Sequence, residues 1–92
     1  MRWVWDAAKA AVNKQKHGVS FELAERALGD PLALTVPDTS LEEERWRTLG
    51  SPSVSGRVVL FVHTWPDDET APGRIISARE ATRHERRDYE ER

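Results

Sequence analysis

Cysteine is absent from this sequence, and long hydrophobic runs and an excess of basic charge are missing too. Without cysteine the chain can form neither disulfides nor thiolate metal sites, which is typical of proteins of a reducing cytoplasm. The longest apolar run, VVLFV at 58–62, is far shorter than the roughly 20 residues of a membrane-spanning helix. Asp6 and Lys9 interrupt the N-terminal apolar stretch, and no small-residue cleavage site follows, so no signal peptide is predicted. We therefore expect a cytoplasmic protein without a membrane partner.

The chain also has little length and little net charge. Its 92 residues suffice for a single domain, 1–92, and a chain this short buries only about 60–65% of its unfolded surface. The formal net charge of −2 excludes a basic field over the whole molecule. Charge is concentrated locally, because residues 73–87 hold five arginines against two glutamates, whereas acidic residues cluster at 41–44 and 66–69. A local basic patch on an acidic protein is therefore predicted.

Capping residues and hydrophobic periodicity predict eight elements in the order β-α-α-β-β-β-β-α. Asp6 caps a first helix over 7–16, which Gly18 ends, and Ser20 caps a second helix that ends at Gly29. Strands are predicted at 1–5, 32–36, 43–49, 57–65 and 74–79, and a T-x-x-E capping box of Thr82 and Glu85 opens a last helix over 83–92. Short connections between the later strands favour an antiparallel meander. The predicted fold class is α+β, with two or three helices packed mainly on one face of an antiparallel sheet.

The segment RVVLFVHTW, 57–65, is the clearest strand, and its two faces differ in composition. Val58, Leu60 and Val62 make the more uniformly apolar face, which we expect to be the core surface. Phe61 and His63 lie on the other face, together with an arginine and a tryptophan. We therefore expect His63 on an open sheet face, where it is a candidate for proton transfer.

Arginines on strands are the most informative polar feature. Predicted strands or their ends carry Arg45, Arg47, Arg57, Arg74 and Arg79. Arginine stays charged and offers a rigid fork of donors that matches a phosphate group. A strand would hold such side chains firmly and direct them from one sheet face. The alternative is that these arginines only face solvent, some of them paired with Glu43, Glu44 or Glu80.

No motif predicts a metal or a cofactor. His84 and Asp88 stand four residues apart on a predicted helix, but no H-E-x-x-H and no third ligand accompany them, so a solvated helical face is expected. The glycines form neither a phosphate-binding loop nor a dinucleotide fingerprint, and no serine occupies a nucleophile elbow.

His17 and the tryptophans each allow two interpretations. His17 falls in the last turn of the first helix, where an imidazolium interacts favourably with the helix dipole, or it contacts a substrate. The tryptophans at 3, 5, 46 and 65 are expected in the core, and one exposed beside the arginines would stack on an unpaired base.

Several segments together resemble the BrnT family of bacterial toxins over nearly the entire chain. They are W-D at 5–6, N-x-x-K-H-G-V-S-F at 13–21, D-P at 30–31, EERWRTLG at 43–50, RVVLFVHTW at 57–65 and RIISAR at 74–79. The resemblance implies the toxin half of a type II toxin–antitoxin pair with a RelE-like fold, which inhibits translation by cutting RNA without a metal. It implies as partner a BrnA-like antitoxin with a ribbon-helix-helix domain, through which alone promoter DNA is bound. The acidic balance and the tract WPDDETAPGR at 65–74 depart from the family pattern.

Metal-free RNA cleavage requires a base, an acid and donors that stabilise the charged phosphorane. We expect His63, or less favourably Glu44, to transfer protons, and Arg45, Arg74 and Arg79 to hold the phosphate. Substrate-binding residues are expected to be Lys16, His17, Arg47 and Arg83, without any cofactor. Two alternatives stay open at this point: an inactive module that binds the antitoxin and tunes autorepression, and a phosphate-recognising domain that acts on a nucleotide or small molecule.

Overall fold

A computed structural model of the chain describes residues 2–39, 43–53 and 56–91. The elements follow the predicted order β-α-α-β-β-β-β-α. Their bounds are β1 Trp3–Val4, α1 Ala7–His17, α2 Phe21–Leu28, β2 Leu34–Pro37, β3 Trp46–Gly50, β4 Val59–His63, β5 Gly73–Glu80 and α3 Arg83–Glu91. The acidic cluster at 41–44 and the serine-rich loop before β4 lie partly outside the described residues.

The helix ends form where the capping residues predict them. The Asp6 carboxylate accepts a hydrogen bond from the Lys9 amide at 3.0 Å, and the Ser20 hydroxyl accepts one from the Leu23 amide at 3.1 Å. Gly18 ends α1 in the left-handed conformation, with φ of 72°, which glycine adopts without a side-chain clash. At α3 the capping box is reciprocal, since the Thr82 amide donates to Glu85 and the Glu85 amide donates to Thr82. These predictions are confirmed.

The sheet has the strand order β1-β5-β4-β3-β2. Strands β2 to β5 form the expected antiparallel meander. β1 departs from it, because it pairs in parallel with β5, with Trp3 opposite Gly73 and Val4 opposite Arg74. Two helices separate β1 from β2, so hairpin geometry does not constrain where β1 joins the sheet. The sheet is therefore mixed rather than purely antiparallel.

Both faces of the sheet are covered, but by different helices. α1 and α2 pack on the face that bears Val59 and Phe61, which we call the helix-covered face. α3 packs on part of the opposite face, where Tyr89 contacts a smaller cluster of Leu49, Val58 and Leu60. Two of the three helices thus share one face, as predicted. The expectation that Val58 and Leu60 mark the main core was wrong, because the larger core cluster lies on the side of Val59 and Phe61.

Two close contacts fix the edge of the sheet near β5. The amide of Asn13 in α1 donates to the Val19 and Ala78 carbonyls, at 3.1 and 2.8 Å, and its oxygen accepts from the Ala78 amide at 3.2 Å. Gly73 allows the Trp3 ring to approach β5, since a Cβ atom there would lie 2.2 Å from the ring.

Within the described ranges, no helix has the length and apolar content needed to cross a membrane.

Candidate functional site

The sheet separates His63 from the arginines with which it was expected to act. Cross-strand partners lie on the same face, and Arg47 stands opposite Val62 while Arg79 stands opposite Leu60. His63 alternates with Val62 and so points to the helix-covered face, where it is only 1% exposed. Its predicted place on an open face was wrong. The composition of β4 was misleading because α1 and α2 cover the more polar face.

The hydrogen bonds of His63 determine its tautomer. Its Nδ1 lies 2.9 Å from the backbone oxygen of Thr64, which can only accept, so Nδ1 carries the proton. Burial lowers the pKa of His63, against a smaller raising effect of the Thr64 hydrogen bond, and the ring is therefore neutral at pH 7. Its unprotonated Nε2 accepts from the Thr48 hydroxyl at 2.7 Å. The Thr35 hydroxyl, 2.8 Å from that of Thr48, must then donate to it.

Aromatic rings surround His63. The Trp3 ring meets it edge-on, with centroids 5.1 Å apart, and the Phe61 and Trp65 rings lie at 5.4 and 5.9 Å. Trp65 also contacts Trp46 edge-on at 5.7 Å. Trp65 is 47% exposed, whereas Trp3, like Trp5, packs against the main core. The exposed tryptophan thus belongs to the surroundings of the buried histidine.

The opposite side of the sheet, which we call the arginine face, bears Arg45, Arg47, Arg74 and Arg79. Each of these arginines faces a carboxylate. One Asp38 oxygen lies 3.4 Å from Arg45 Nε and the other lies 3.5 Å from Arg47 Nε. A terminal nitrogen of Arg74 donates to Glu43 at 2.7 Å. Pairing of strand arginines with nearby glutamates, the alternative drawn from the sequence, is therefore present at Arg74 and also between Arg57 and Glu80.

Arg79 makes the strongest of these ion pairs. It donates to both carboxylate oxygens of Glu85, at 2.8 and 3.0 Å, and this fork geometry is the most favourable one for arginine. The hydrogen bonds from Arg79 lower the pKa of Glu85 to about 2, and the Thr82 amide contributes to the lowering. The same hydrogen bonds raise the pKa of Arg79. Since Glu85 also caps α3, Arg79 joins that helix to β5.

Arg45 and Arg47 form the least satisfied pair. They share Asp38 as their only carboxylate within the described residues, so the three side chains together keep a net positive charge. Their Nε atoms are buried and have no hydrogen-bond partner there. The side chains remain 30% and 41% exposed. Asp38 was not among the predicted site residues, although hairpin pairing of β2 with β3 places it beside Arg45, whose carbonyl accepts from the Asp38 amide at 2.8 Å.

Lys16 and His17 reach the edge of the sheet. Both are exposed in the last turn of α1 and line a cavity of about 390 Å³ together with Ile76 and Ser77 of β5. Ser77 stands opposite Val62 and therefore belongs to the arginine face. The end of α1 thus lies beside one residue of that face. His17 retains its favourable position at the helix C-terminus as well.

The remaining predicted residues are exposed. Glu44 precedes β3, and Arg83 is the first residue of α3. His84 lies 3.6 Å from Asp88, as an i,i+4 pair on the solvated side of α3. Among the residues that the structure describes, no group of three or more His, Cys, Asp or Glu side chains could hold a metal ion.

Comparison with known proteins identifies a family and a similar solved structure. Residues 5–85 match the family described as ribonuclease toxin, BrnT, of type II toxin-antitoxin system. The fold is similar to the crystal structure of the Brucella abortus ribonuclease toxin, BrnT, with a TM-score of 0.67 and 24% sequence identity over 90% of this chain and 99% of that chain. None of the curated proteins with which it was compared matches it. The family match spans most of the chain, and the chain therefore belongs to the BrnT family of ribonuclease toxins of type II toxin–antitoxin systems.

Proposed function

We propose that the chain cleaves RNA on the arginine face and that Arg45 and Arg47 bind the scissile phosphate. One observation carries this proposal: two guanidinium groups share the single Asp38 carboxylate at distances longer than a hydrogen bond. An RNA phosphate would add acceptors for the exposed parts of both groups, beyond Asp38, which is their one carboxylate within the described residues. Arginine keeps its charge at every working pH, so the pair can also stabilise the negative charge that develops in the transition state.

Proton transfer is assigned to the end of α1 in this proposal. His17 and Lys16 are exposed beside the arginine face, whereas His63 is buried on the other side of the sheet. His17 then takes the proton of the 2′-hydroxyl or protonates the leaving 5′-oxygen, and Lys16 supports the phosphate. Glu44, exposed next to Arg45, is the alternative base. These groups can carry out the reaction without a metal, which we include in the proposal.

The other arginines have different roles in this scheme. Arg74 is half exposed and bound to Glu43 through one nitrogen, so it can exchange that carboxylate for a phosphate of the RNA chain. Arg79 is held by both oxygens of Glu85 and serves to position α3. Arg83 is exposed at the start of α3 and contributes charge to the RNA path. A surface ion pair contributes about 0–1 kcal/mol, so exchange of a partner at Arg74 costs little.

In the cell, we propose that this activity inhibits translation in the cytoplasm. A family of type II toxins implies an antitoxin partner. We propose that the partner is a BrnA-like ribbon-helix-helix protein. The net charge of −2 supports promoter binding by the antitoxin rather than by this chain.

The test uses the purified chain with a labelled single-stranded RNA. We expect the double substitution Arg45→Gln with Arg47→Gln to lower the cleavage rate by about a hundredfold or more. Arg57→Gln is the matched control, since Arg57 is also half-exposed and paired with a carboxylate, but lies at the other end of the sheet. The control should cleave at the wild-type rate. Cleavage by the double variant at that rate would refute the assignment.

A second candidate is an inactive module that binds the antitoxin and tunes autorepression. The observation in its favour is that each arginine of the proposed site already faces a carboxylate. Expression of the chain alone separates the two functions. Growth arrest with shortened transcripts supports the ribonuclease, whereas harmless expression of folded protein that binds its antitoxin supports the module.

A further inference from the structure

A second cavity lies on the helix-covered face, away from the arginines. It has a volume of about 550 Å³ and opens between the end of α2, β2, and the ends of β1 and β4. This volume is within the range of roughly 300–1,000 Å³ that is usual for small-ligand sites. Its floor is polar, because Thr48 and His63, each 1% exposed, line it together with Thr35. The RNA-cleaving site proposed above does not use these residues.

The direction of the hydrogen bonds in the floor determines what the cavity presents to a ligand. Thr35 donates to Thr48, and Thr48 donates to Nε2 of the neutral His63. The hydroxyl protons of Thr35 and Thr48 are therefore both donated to groups within the wall of the cavity. The free lone pairs of the Thr35 hydroxyl remain as acceptors at the cavity end of this row of hydrogen bonds.

The one carboxylate among the lining residues is also an acceptor. Glu25, an exposed residue of α2, lines the cavity and has no ion-pair partner within the described part of the chain. The remaining lining is largely apolar, and Trp3 and Trp65 flank His63 at 5.1 and 5.9 Å. The cavity thus combines aromatic surfaces with hydrogen-bond acceptors, and the donors among its described lining side chains are the indole N–H groups of Trp3 and Trp65, at the sides of the cavity. A suitable ligand is flat and presents N–H groups along one edge.

We propose that this cavity binds a guanine base of an RNA, with the Glu25 carboxylate accepting from the N1–H and N2–H groups and an indole of Trp3 or Trp65 stacking on the ring. This inference rests on the proposed function, because it makes the RNA that is cut the source of the base. Among the common bases, guanine alone offers two adjacent donors that match a carboxylate. An arginine side chain of another protein is also flat with N–H groups along one edge, but its positive charge would lose hydration beside the neutral imidazole of His63. A neutral base avoids this desolvation cost.

Binding of free nucleotides to the full chain tests the site. Guanosine monophosphate should quench tryptophan fluorescence and raise the thermal midpoint as its concentration increases. Inosine monophosphate, which lacks the 2-amino group, should bind about tenfold more weakly, because a hydrogen bond to a charged group contributes at least that factor. Adenosine monophosphate should bind more weakly still. Equal affinity for all three, or no binding by folded protein, would overturn the proposal.

Matched variants identify the residues. Glu25→Gln should lower the affinity for guanosine monophosphate about tenfold or more, whereas Glu22→Gln, on the same helix but outside the cavity lining, should leave it unchanged. Thr35→Val removes the hydroxyl acceptor and should weaken binding. Thr35→Ser keeps the hydroxyl and should retain binding, which separates loss of the acceptor from any loss of stability in Thr35→Val. Tighter binding of N-acetylarginine amide than of guanosine monophosphate would show that the cavity takes a protein side chain, and would overturn the assignment to RNA.

Cleavage assays keep this inference distinct from the proposed function. Glu25→Gln should still cut RNA, but without the preference for sites at a fixed number of nucleotides from a guanine that the wild-type chain should have. If the wild-type chain binds guanosine monophosphate yet cuts no RNA, the proposed function fails and the base site stands. If it cuts RNA with no preference that Glu25→Gln changes, the base site fails and the proposed function stands.

Discussion

Substitution of Glu85 by glutamine tests the ion pair that joins α3 to the sheet. The fall of the Glu85 pKa from its ordinary value of 4.5 to about 2 corresponds to about 3.4 kcal/mol at 1.36 kcal/mol per pKa unit. This figure is an upper limit, because the Arg79 side chain is 38% exposed and solvent screens the pair. Glutamine keeps an oxygen for the Thr82 amide, so the cap survives. We expect Glu85→Gln to lower the free energy of unfolding at pH 7 by about 1–2 kcal/mol, which for a domain of this size lowers the thermal midpoint by roughly 5–12 °C.

The pH dependence of this difference is the sharper test. A carboxyl group with a lowered folded-state pKa stabilises the protein above its unfolded pKa and loses that contribution as pH falls through the folded pKa. The difference between wild type and Glu85→Gln should therefore be complete above about pH 5 and vanish towards pH 2. Urea denaturation of both proteins at pH 7, 4 and 2.5 measures it. A difference that stays constant over this range would show that the ion pair with Arg79 is not its source.

Three further predictions follow from other contacts. Asp38→Asn frees one more positive charge on the arginine face, so RNA should bind more tightly, and the slope of log binding constant against log salt concentration should steepen by about 0.7. An unchanged slope, measured by fluorescence polarisation, would contradict RNA binding on this face. His17→Gln should lower RNA cleavage by about 10²–10⁴-fold and cost at most about 1 kcal/mol of stability, and full activity would return His17 to a purely structural role. Asn13→Ala leaves three buried backbone groups without partners and should cost about 2–4 kcal/mol in urea denaturation; a cost below about 1 kcal/mol would show that water replaces the amide.

Local signals in the sequence predicted the order of elements and the helix ends. A cap such as Ser20 or Gly18 acts through its own backbone and its near neighbours, so a short stretch of sequence is sufficient to recognise it. The parallel pairing of Trp3 with Gly73 joins residues that are remote in the chain, and no local pattern encodes it. The sequence therefore predicted the four-stranded meander but not the strand that completes the sheet.

The candidate site was predicted in part for the same reason. Alternation along β4 correctly separates its residues into two faces, but it cannot tell which helices cover which face when both faces are apolar. His63 was consequently assigned to the wrong side. Arg47, Arg74 and Arg79 lie on strands as predicted, whereas Arg45 and Arg57 precede theirs. The pairing of Arg79 with Glu85 of α3 depends on how that helix packs on the sheet, which no local pattern encodes.

The position of β5 between β1 and β4 also has a consequence for folding during synthesis. This strand pairs with both β1 and β4 and contacts both α1 and α2. Contacts such as those of Asn13 with Ala78 span 65 residues, and contacts of this length form slowly because a long loop must close first. The earlier elements therefore cannot complete the domain until the ribosome has released residues 73–80. Every newly made copy therefore passes through an interval in which the sheet is incomplete, and an antitoxin already in the cell can meet the chain before it is fully folded.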